Sequence, residues 1–276
     1  MTAGEAIAAA ASRLRAAGVE NPARDARLLL AHAAKIEAGR VTLIAPEDLA
    51  PDIAEQFDRL VSLRAIRVPV SHLIGERAFY GRMFKVSGDV LDPRPETETL
   101  IEAALAEPFA RVLDLGTGSG CILVTLLAER KSAVGTGIDL SEAACLQASA
   151  NAVLHHVQDR TEILQSNWFE RVEDRFDLIV ANPPYIALEE WDGLEDEVRR
   201  HEPRMALTDG ADGLQAYREI AARLLAFLLP GGRALFEIGP SQAGAVCDIL
   251  SSEGLHDLAV IPDMDGRDRV VMARRP

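Results

Sequence analysis

The sequence predicts an α/β protein: a parallel, doubly wound sheet preceded by a small helical bundle. Three observations lead there. From about residue 96 onward, short apolar runs alternate with helical stretches, the pattern of a sheet covered on both faces. The first 75 residues show helical periodicity alone. The chain has 276 residues, 48% hydrophobic and 26% charged, which is ordinary globular usage and leaves room for one large domain or for one ordinary domain and a small one.

The elements follow in order. A first helix is expected over Ala3 to Ala17, stopped by Gly18, and a second over Pro22 to Ile36, opened by Asn21-Pro22. Pro51 opens a third, with Ile53, Phe57, Leu60 and Leu63 on one face, ending before Pro69. Residues 73–92 alternate around Gly81 and Gly88 and suggest a β-hairpin. The domains expected are therefore a helical domain over 1–75, a hairpin linker over 76–95 and a sheet domain over 96–276. Within the last, strands are expected at 110–116, 133–140, 160–166, 176–185 and 231–239, with an antiparallel pair at 256–261 and 268–273. Helices are expected at 119–129, 142–154 and 213–229.

Composition excludes several functions. The net charge of −14 disfavours sequence-independent binding to nucleic acid, which needs a surplus of Lys and Arg. Cys121, Cys145 and Cys247 are scattered and odd in number, so they read as free thiols of a reducing cytoplasm rather than disulfides or a zinc site. His155 and His156 diverge on a helix, and no metal is expected. The alanine-rich start, interrupted by Glu5, Arg13 and Arg15, reads as a soluble amphipathic helix, and no apolar run is long enough to cross a membrane.

Two loops carry chemistry. Asp114-Leu-Gly116-Thr117-Gly118-Ser119-Gly120 sits between the first strand of the sheet and a helix. Its glycines let the backbone turn tightly against a ligand, and the helix N-terminus offers free N–H groups. The spacing is one residue short of the dinucleotide form, which favours a nucleoside carrying a carboxylate over a pyrophosphate. Asp139 ends the second strand, where an acceptor-only carboxylate suits two ribose hydroxyls; Ser141 can cap the next helix in its place. Asn182-Pro183-Pro184-Tyr185 follows the fourth strand. Its prolines stiffen a loop that presents the Asn182 amide oxygen and the Pro183 carbonyl as acceptors for both hydrogens of a planar NH₂ group, with Tyr185 as an aromatic face. Trp168, after the third strand, suits adenine stacking or plain core packing.

DLGTGSG, IDLS and NPPY together resemble the Rossmann-like methyltransferases that use S-adenosylmethionine. NPPY is shared by enzymes acting on adenine N6, guanine N2 and protein glutamine. The segments 69–102, 163–169, 197–214 and 263–276 are more specific and resemble the HemK/PrmC family, over essentially the whole chain. That resemblance implies an S-adenosylmethionine-dependent methyltransferase sheet that methylates N5 of the glutamine in the Gly-Gly-Gln motif of class 1 peptide chain release factors, in the cytoplasm. S-adenosyl-L-homocysteine is then the product. It implies cofactor contacts from Gly116, Thr117, Gly118, Ser119, Gly120, Asp139, Trp168 and Asn182, with Asn182, Pro183, Pro184 and Tyr185 holding the glutamine and Asn182, Pro183 and Tyr185 at the reaction. Many members have Asp where this chain has Asn167, whose amide oxygen can still meet adenine. Arg94, Glu96 and Glu98 either position substrate or pair with each other, and the acidic stretch 189–197 reads as a solvated face or as one that meets a basic partner surface. The alternative is a nucleic-acid exocyclic-amine methyltransferase, which would need base flipping and a basic face.

Overall fold

The computed structural model describes residues 1–276, which form two compact units: Met1–Glu76 with Glu195–His201, and Arg77–Leu194 with Glu202–Pro276. No helix is long and apolar enough to cross a membrane.

The first unit is helical. Helix α1 (Ala3–Ala16) opens with a capping box, in which the Thr2 hydroxyl accepts from the Glu5 N–H and the Glu5 carboxylate accepts from the Thr2 N–H. Helix α2 (Pro22–Ala34) starts on its proline; Asn21 occupies the cap position without a side-chain bond. Lys35, left-handed at φ 53°, ends α2 two residues before the expected Ile36. Helix α3 (Pro51–Ala65) buries Phe57, Leu60, Val61 and Arg64. Leu63, expected on that face, is 38% exposed. At about 100° per residue, Phe57, Leu60, Val61 and Arg64 share one arc of the helix, and Leu63 stands about 60° beyond its edge.

A charged residue holds the core position because it is fully paired. Arg64 donates to Asp25 at 2.8 Å, to Glu197 at 2.7 Å and to the Val68 carbonyl at 3.1 Å. Glu197 therefore corrects the expectation of a solvated acidic face, since it belongs to this buried cluster. The short helical turns Val41–Ile44, Val70–Ile74 and Asp196–His201 had no clear signal in the sequence.

The second unit begins with a hairpin, β1 (Glu76–Phe79) and β2 (Arg82–Lys85), narrower than the 73–92 expected. Tyr80 and Gly81 both take positive φ, 47° and 71°, as a tight hairpin turn requires. Phe79 and Phe84 are buried in this unit's own core. Then come α4 (Glu98–Leu105), β3 (Arg111–Leu115), α5 (Cys121–Glu129), β4 (Val134–Asp139), α6 (Glu142–Leu154), β5 (Thr161–Gln165) and β6 (Phe176–Ala181). The chain closes with α7 (Gln215–Phe227), β7 (Leu228–Glu237), α8 (Ala243–Ser252), β8 (His256–Pro262) and β9 (Asp268–Arg274). Helix α8 is an element the sequence reading did not anticipate.

The seven strands pair in the order β5-β4-β3-β6-β7-β9-β8, parallel through β7, with β9 antiparallel to both its neighbours. Alternation along each strand builds two cores. Leu113, Leu115, Ile179, Phe236 and Ala234 face α7 and α8, whereas Val112, Leu178, Val180 and Leu235 face α4 and α5. The chain winds outward from β3 to β5, then returns to the other side of β3 as β6. That reversal is the topological switch point, where an open α/β sheet binds ligands.

Arg64→Ala is expected to leave Asp25 buried without its cation and to destabilise the first unit by about 3 kcal/mol or more. Denaturant unfolding of the variant checks this, and a loss below about 1 kcal/mol would show the cluster to be dispensable.

Candidate cofactor and substrate site

The strand register brings the two signature loops together. Leu115 of β3 lies opposite Ala181 of β6 and Ile138 of β4, so Gly116, Asn182 and Asp139 leave the sheet at one level. A cavity of about 350 Å³ opens there. Its wall includes Gly116 to Ser119, Asp139, Asn167, Trp168 and Asn182 to Pro184, together with Arg94, Thr97, Pro203, Met205 and Glu219.

The glycine loop is locked from below. Thr117 donates its N–H to the Ile138 carbonyl at 2.8 Å and its hydroxyl to Asp114 Oδ2 at 2.7 Å. Gly118 takes φ 54°, and a Cβ built on it would stand in open space, so its bare backbone faces the cavity. The Gly118 N–H donates to Asp139 Oδ2, and the Ser141 N–H donates to Asp139 Oδ1, both at 2.9 Å. Each carboxylate oxygen keeps a further lone pair for a ligand. Ser141 caps α6 through the Ala144 N–H, so Asp139 is not needed there. The Trp168 ring lies over Gly116, held by its indole N–H donating to Glu219 at 3.0 Å. Asn167 donates to Glu170 at 2.9 Å and leaves its amide oxygen available.

Asn182 has a defined orientation. Its Nδ2 makes a long 3.4 Å bond to the Thr97 hydroxyl. The amide oxygen is left for the cavity. The loop that follows is fastened by Gln242. Its Nε2 donates to the Tyr185 carbonyl at 2.9 Å and to the Gly213 carbonyl at 3.1 Å, while its Oε1 accepts from the Gly239 N–H at 2.9 Å. Gly213 is pressed so closely on this loop that an added Cβ would lie 2.3 Å from the Tyr185 oxygen.

Several expected residues stand elsewhere. Gly120 is not part of the cavity wall; a Cβ there would meet Ala148 of α6 at 3.0 Å, so the position serves loop-to-helix packing. Tyr185 also lies outside the wall, its ring packed against the core beside Gly239. Its hydroxyl is pushed up to about 12, chiefly by burial. Arg94 does line the cavity, but it pairs with the buried Glu202 at 2.6 Å rather than with Glu96 or Glu98. Glu98 instead accepts from the Tyr80 N–H at 2.8 Å, and Glu96 is exposed. The reading of these three as one mutually paired group is thereby corrected.

Sequence reasoning missed the supporting residues Thr97, Asn151 and Gln242. Asn151, fully buried on α6, exchanges two bonds with the Lys85 backbone and donates to the Ser119 carbonyl at 2.8 Å. Nothing in the surrounding sequence marks it, because its partners lie 66 and 32 residues away.

A switch-point sheet, a glycine loop locked beside a strand-end aspartate and a stiff Asn-Pro-Pro loop across the crevice define a Rossmann-like methyltransferase. The comparisons with known proteins agree. The PrmC N-terminal domain model matches residues 5–75, and the methyltransferase small domain model matches residues 86–195. The release factor glutamine methyltransferase of Cereibacter sphaeroides is 55% identical over 276 residues, covering 100% of this chain and 99% of that protein. The protein of the same description from Rhodospirillum rubrum is 43% identical, covering 95% of this chain and 82% of its own length. Among solved structures, a methyltransferase from Pyrococcus furiosus shares the fold at a TM-score of 0.56 and 16% identity, covering 72% of this chain and 91% of that one. The chain belongs to the release factor glutamine methyltransferase family.

Two carboxyls of the site, Asp114 and Glu237, are pushed up to about 7 by burial. A carboxyl so held keeps its proton in the fold at a pH where the unfolded chain has lost it. Its stabilisation is full below ~4 and is lost as pH rises through the folded value. The melting temperature is therefore expected to fall between about pH 5 and 8, and Asp114→Asn to make that fall shallower. Equal slopes for variant and wild type would contradict the assignment to Asp114.

Proposed function

We propose that this chain transfers a methyl group from S-adenosylmethionine to the side-chain N5 of the glutamine in the Gly-Gly-Gln motif of class 1 release factors, releasing S-adenosylhomocysteine. The observation that carries the proposal is the placement of Asn182, its Nδ2 turned to the Thr97 hydroxyl, in the wall of the same cavity that the glycine loop and Asp139 line. Full-length relatives bearing that activity in their description support the acceptor. We assign the activity to the cytoplasm, in keeping with three free cysteines.

The residues fit the cofactor. Asp139 retains lone pairs for two ribose hydroxyls, Gly118 offers a backbone without a Cβ, and Trp168 offers an aromatic face beside the exposed Asn167 amide. When bound, the sulfonium cofactor supplies an activated methyl group. The protein's part is to place and polarise the acceptor. An amide nitrogen is a poor nucleophile because its lone pair is delocalised into the carbonyl. Asn182 Oδ1 and the Pro183 carbonyl accept its two N–H bonds, which raises electron density on nitrogen and favours a pyramidal geometry. Pro184 removes a donor that would compete for the same oxygens and keeps the loop stiff. Tyr185 closes the motif, its carbonyl tied to Gln242. The nitrogen becomes acidic only after transfer, so no strong base is required.

The helical unit has no part of the glycine or Asn-Pro-Pro loops, and we assign residues 1–75 to docking of the release factor. Arg24 and Arg27 stand exposed on α2 without ion-pair partners. Reversing both to glutamate is expected to raise KM for intact release factor and to leave KM for a Gly-Gly-Gln peptide unchanged. Equal KM values for both acceptors would remove α2 from the docking surface.

Asp139→Ala is expected to weaken S-adenosylmethionine binding by about 1.5–3 kcal/mol in calorimetry, the worth of a hydrogen bond to a charged group. Unchanged affinity would take Asp139 out of the site. Asn182→Ala is expected to lower kcat by about 10²-fold or more, because the lost bond strengthens as nitrogen pyramidalises. A wild-type kcat in that variant would show that the loop does not hold the nucleophile.

A further inference from the structure

We propose, on the methyl-transfer reading above, that Arg94 binds the α-carboxylate of S-adenosylmethionine, with the buried Glu202 holding its guanidinium in place. The glycine loop reads in the sequence as the seat for that anion, but three of its N–H groups are already spent within the protein. Thr117 donates to the Ile138 carbonyl at 2.8 Å, Gly118 to Asp139 Oδ2 at 2.9 Å and Gly120 to the Thr117 carbonyl at 2.8 Å. The loop has less to give an anion than its sequence suggests.

The charges of the cavity wall point to Arg94 instead. It is the only cationic side chain there, among Asp89, Asp92, Asp139, Asp209 and Glu219. The cofactor brings two cations, its sulfonium and its α-ammonium, and one anion, its α-carboxylate. An acidic wall suits the first two and repels the third. The carboxylate therefore has one side chain to pair with. The acceptor does not compete for it, since a Gly-Gly-Gln segment has no charged side chain.

The geometry fits that role. Arg94 directly precedes the 95–97 turn, and Thr97 of that turn bonds Asn182. Arg94 thus belongs to the Asn182 end of the cavity, where the sulfonium and the amino-acid tail lie on the reading above. Its Nη2 donates to Glu202 Oε1 at 2.6 Å, and the Glu202 side chain is only 2% exposed. This bond uses one of five N–H donors, and the Arg94 side chain stays 32% exposed. A planar guanidinium can bridge two carboxylates. Fixed on one of them, it offers its remaining donors to the second with little further loss of side-chain freedom.

The test is calorimetry with two ligands: S-adenosylhomocysteine and its decarboxylated analogue, which keeps the adenosine, the thioether and the amine. Wild type is expected to bind the analogue about tenfold or more weakly. Arg94→Gln is expected to lose about tenfold or more in affinity for S-adenosylhomocysteine and to stay within about threefold of wild type for the analogue. The carboxylate is bound alike before and after transfer, so the cofactor KM should rise while kcat stays within about threefold. Wild-type affinity of Arg94→Gln for S-adenosylhomocysteine overturns the proposal. So does an equal loss for both ligands, which marks a merely structural role. A raised release-factor KM with an unchanged cofactor Kd also overturns it and moves Arg94 to the acceptor. Should Arg94→Gln fail to fold, equal affinity of wild type for the two ligands overturns the proposal alone. Absence of binding of either ligand by wild type contradicts the cofactor reading instead.

Discussion

The pairing of β3 with β6 is the constraint on which the site depends. These strands are parallel and adjacent although far apart in sequence, and their register sets Leu115 beside Ala181. The chain leaves both at the same height. The glycine loop and the Asn-Pro-Pro loop therefore open into one crevice with no further device. Everything else at the site refines the positions of two loops that the sheet has already brought together. A slip of one residue in that register would exchange the side chains that fill the two cores, so the buried packing of both layers defends it.

The refinement is made by polar groups that have no water to fall back on. Gln242 satisfies three loop backbones at once, and Asn151 ties the glycine loop to the hairpin. Leaving any such group unpaired in the interior costs roughly 1–3 kcal/mol. The loops are consequently held by the penalty for moving as much as by the strength of each bond. Arg64 applies the same logic in the helical unit, where three acceptors justify a guanidinium among apolar side chains.

The sheet was legible because its strands are apolar runs bounded by Gly, Pro and Asn, and the loops because Gly116 to Gly120 and Asn182 to Tyr185 constrain the backbone locally. What escaped was long-range. Gln242 meets partners 57 and 29 residues away, and Asn151 meets Lys85 at 66. Nothing near these residues marks them. Leu63 reads as core in the sequence because the partner that lets Arg64 face inward, Glu197, lies 133 residues on. Tyr185 and Gly120 stand inside clear motifs, yet packing against Gly239 and Ala148 takes them out of the cavity wall.

The central claim is that the acceptor is an amide nitrogen held by two oxygens. It is tested most directly by offering the protein labelled S-adenosylmethionine with release factor, DNA or ribosomal RNA, and mapping the label by mass spectrometry. A methyl group on the side-chain nitrogen of the Gly-Gly-Gln glutamine, and none on a release factor carrying glutamate there, is the predicted result. A carboxylate has no N–H to donate and would face two oxygens. Methyl transfer to that glutamate variant, or to a base of either nucleic acid in preference to release factor, would contradict the account.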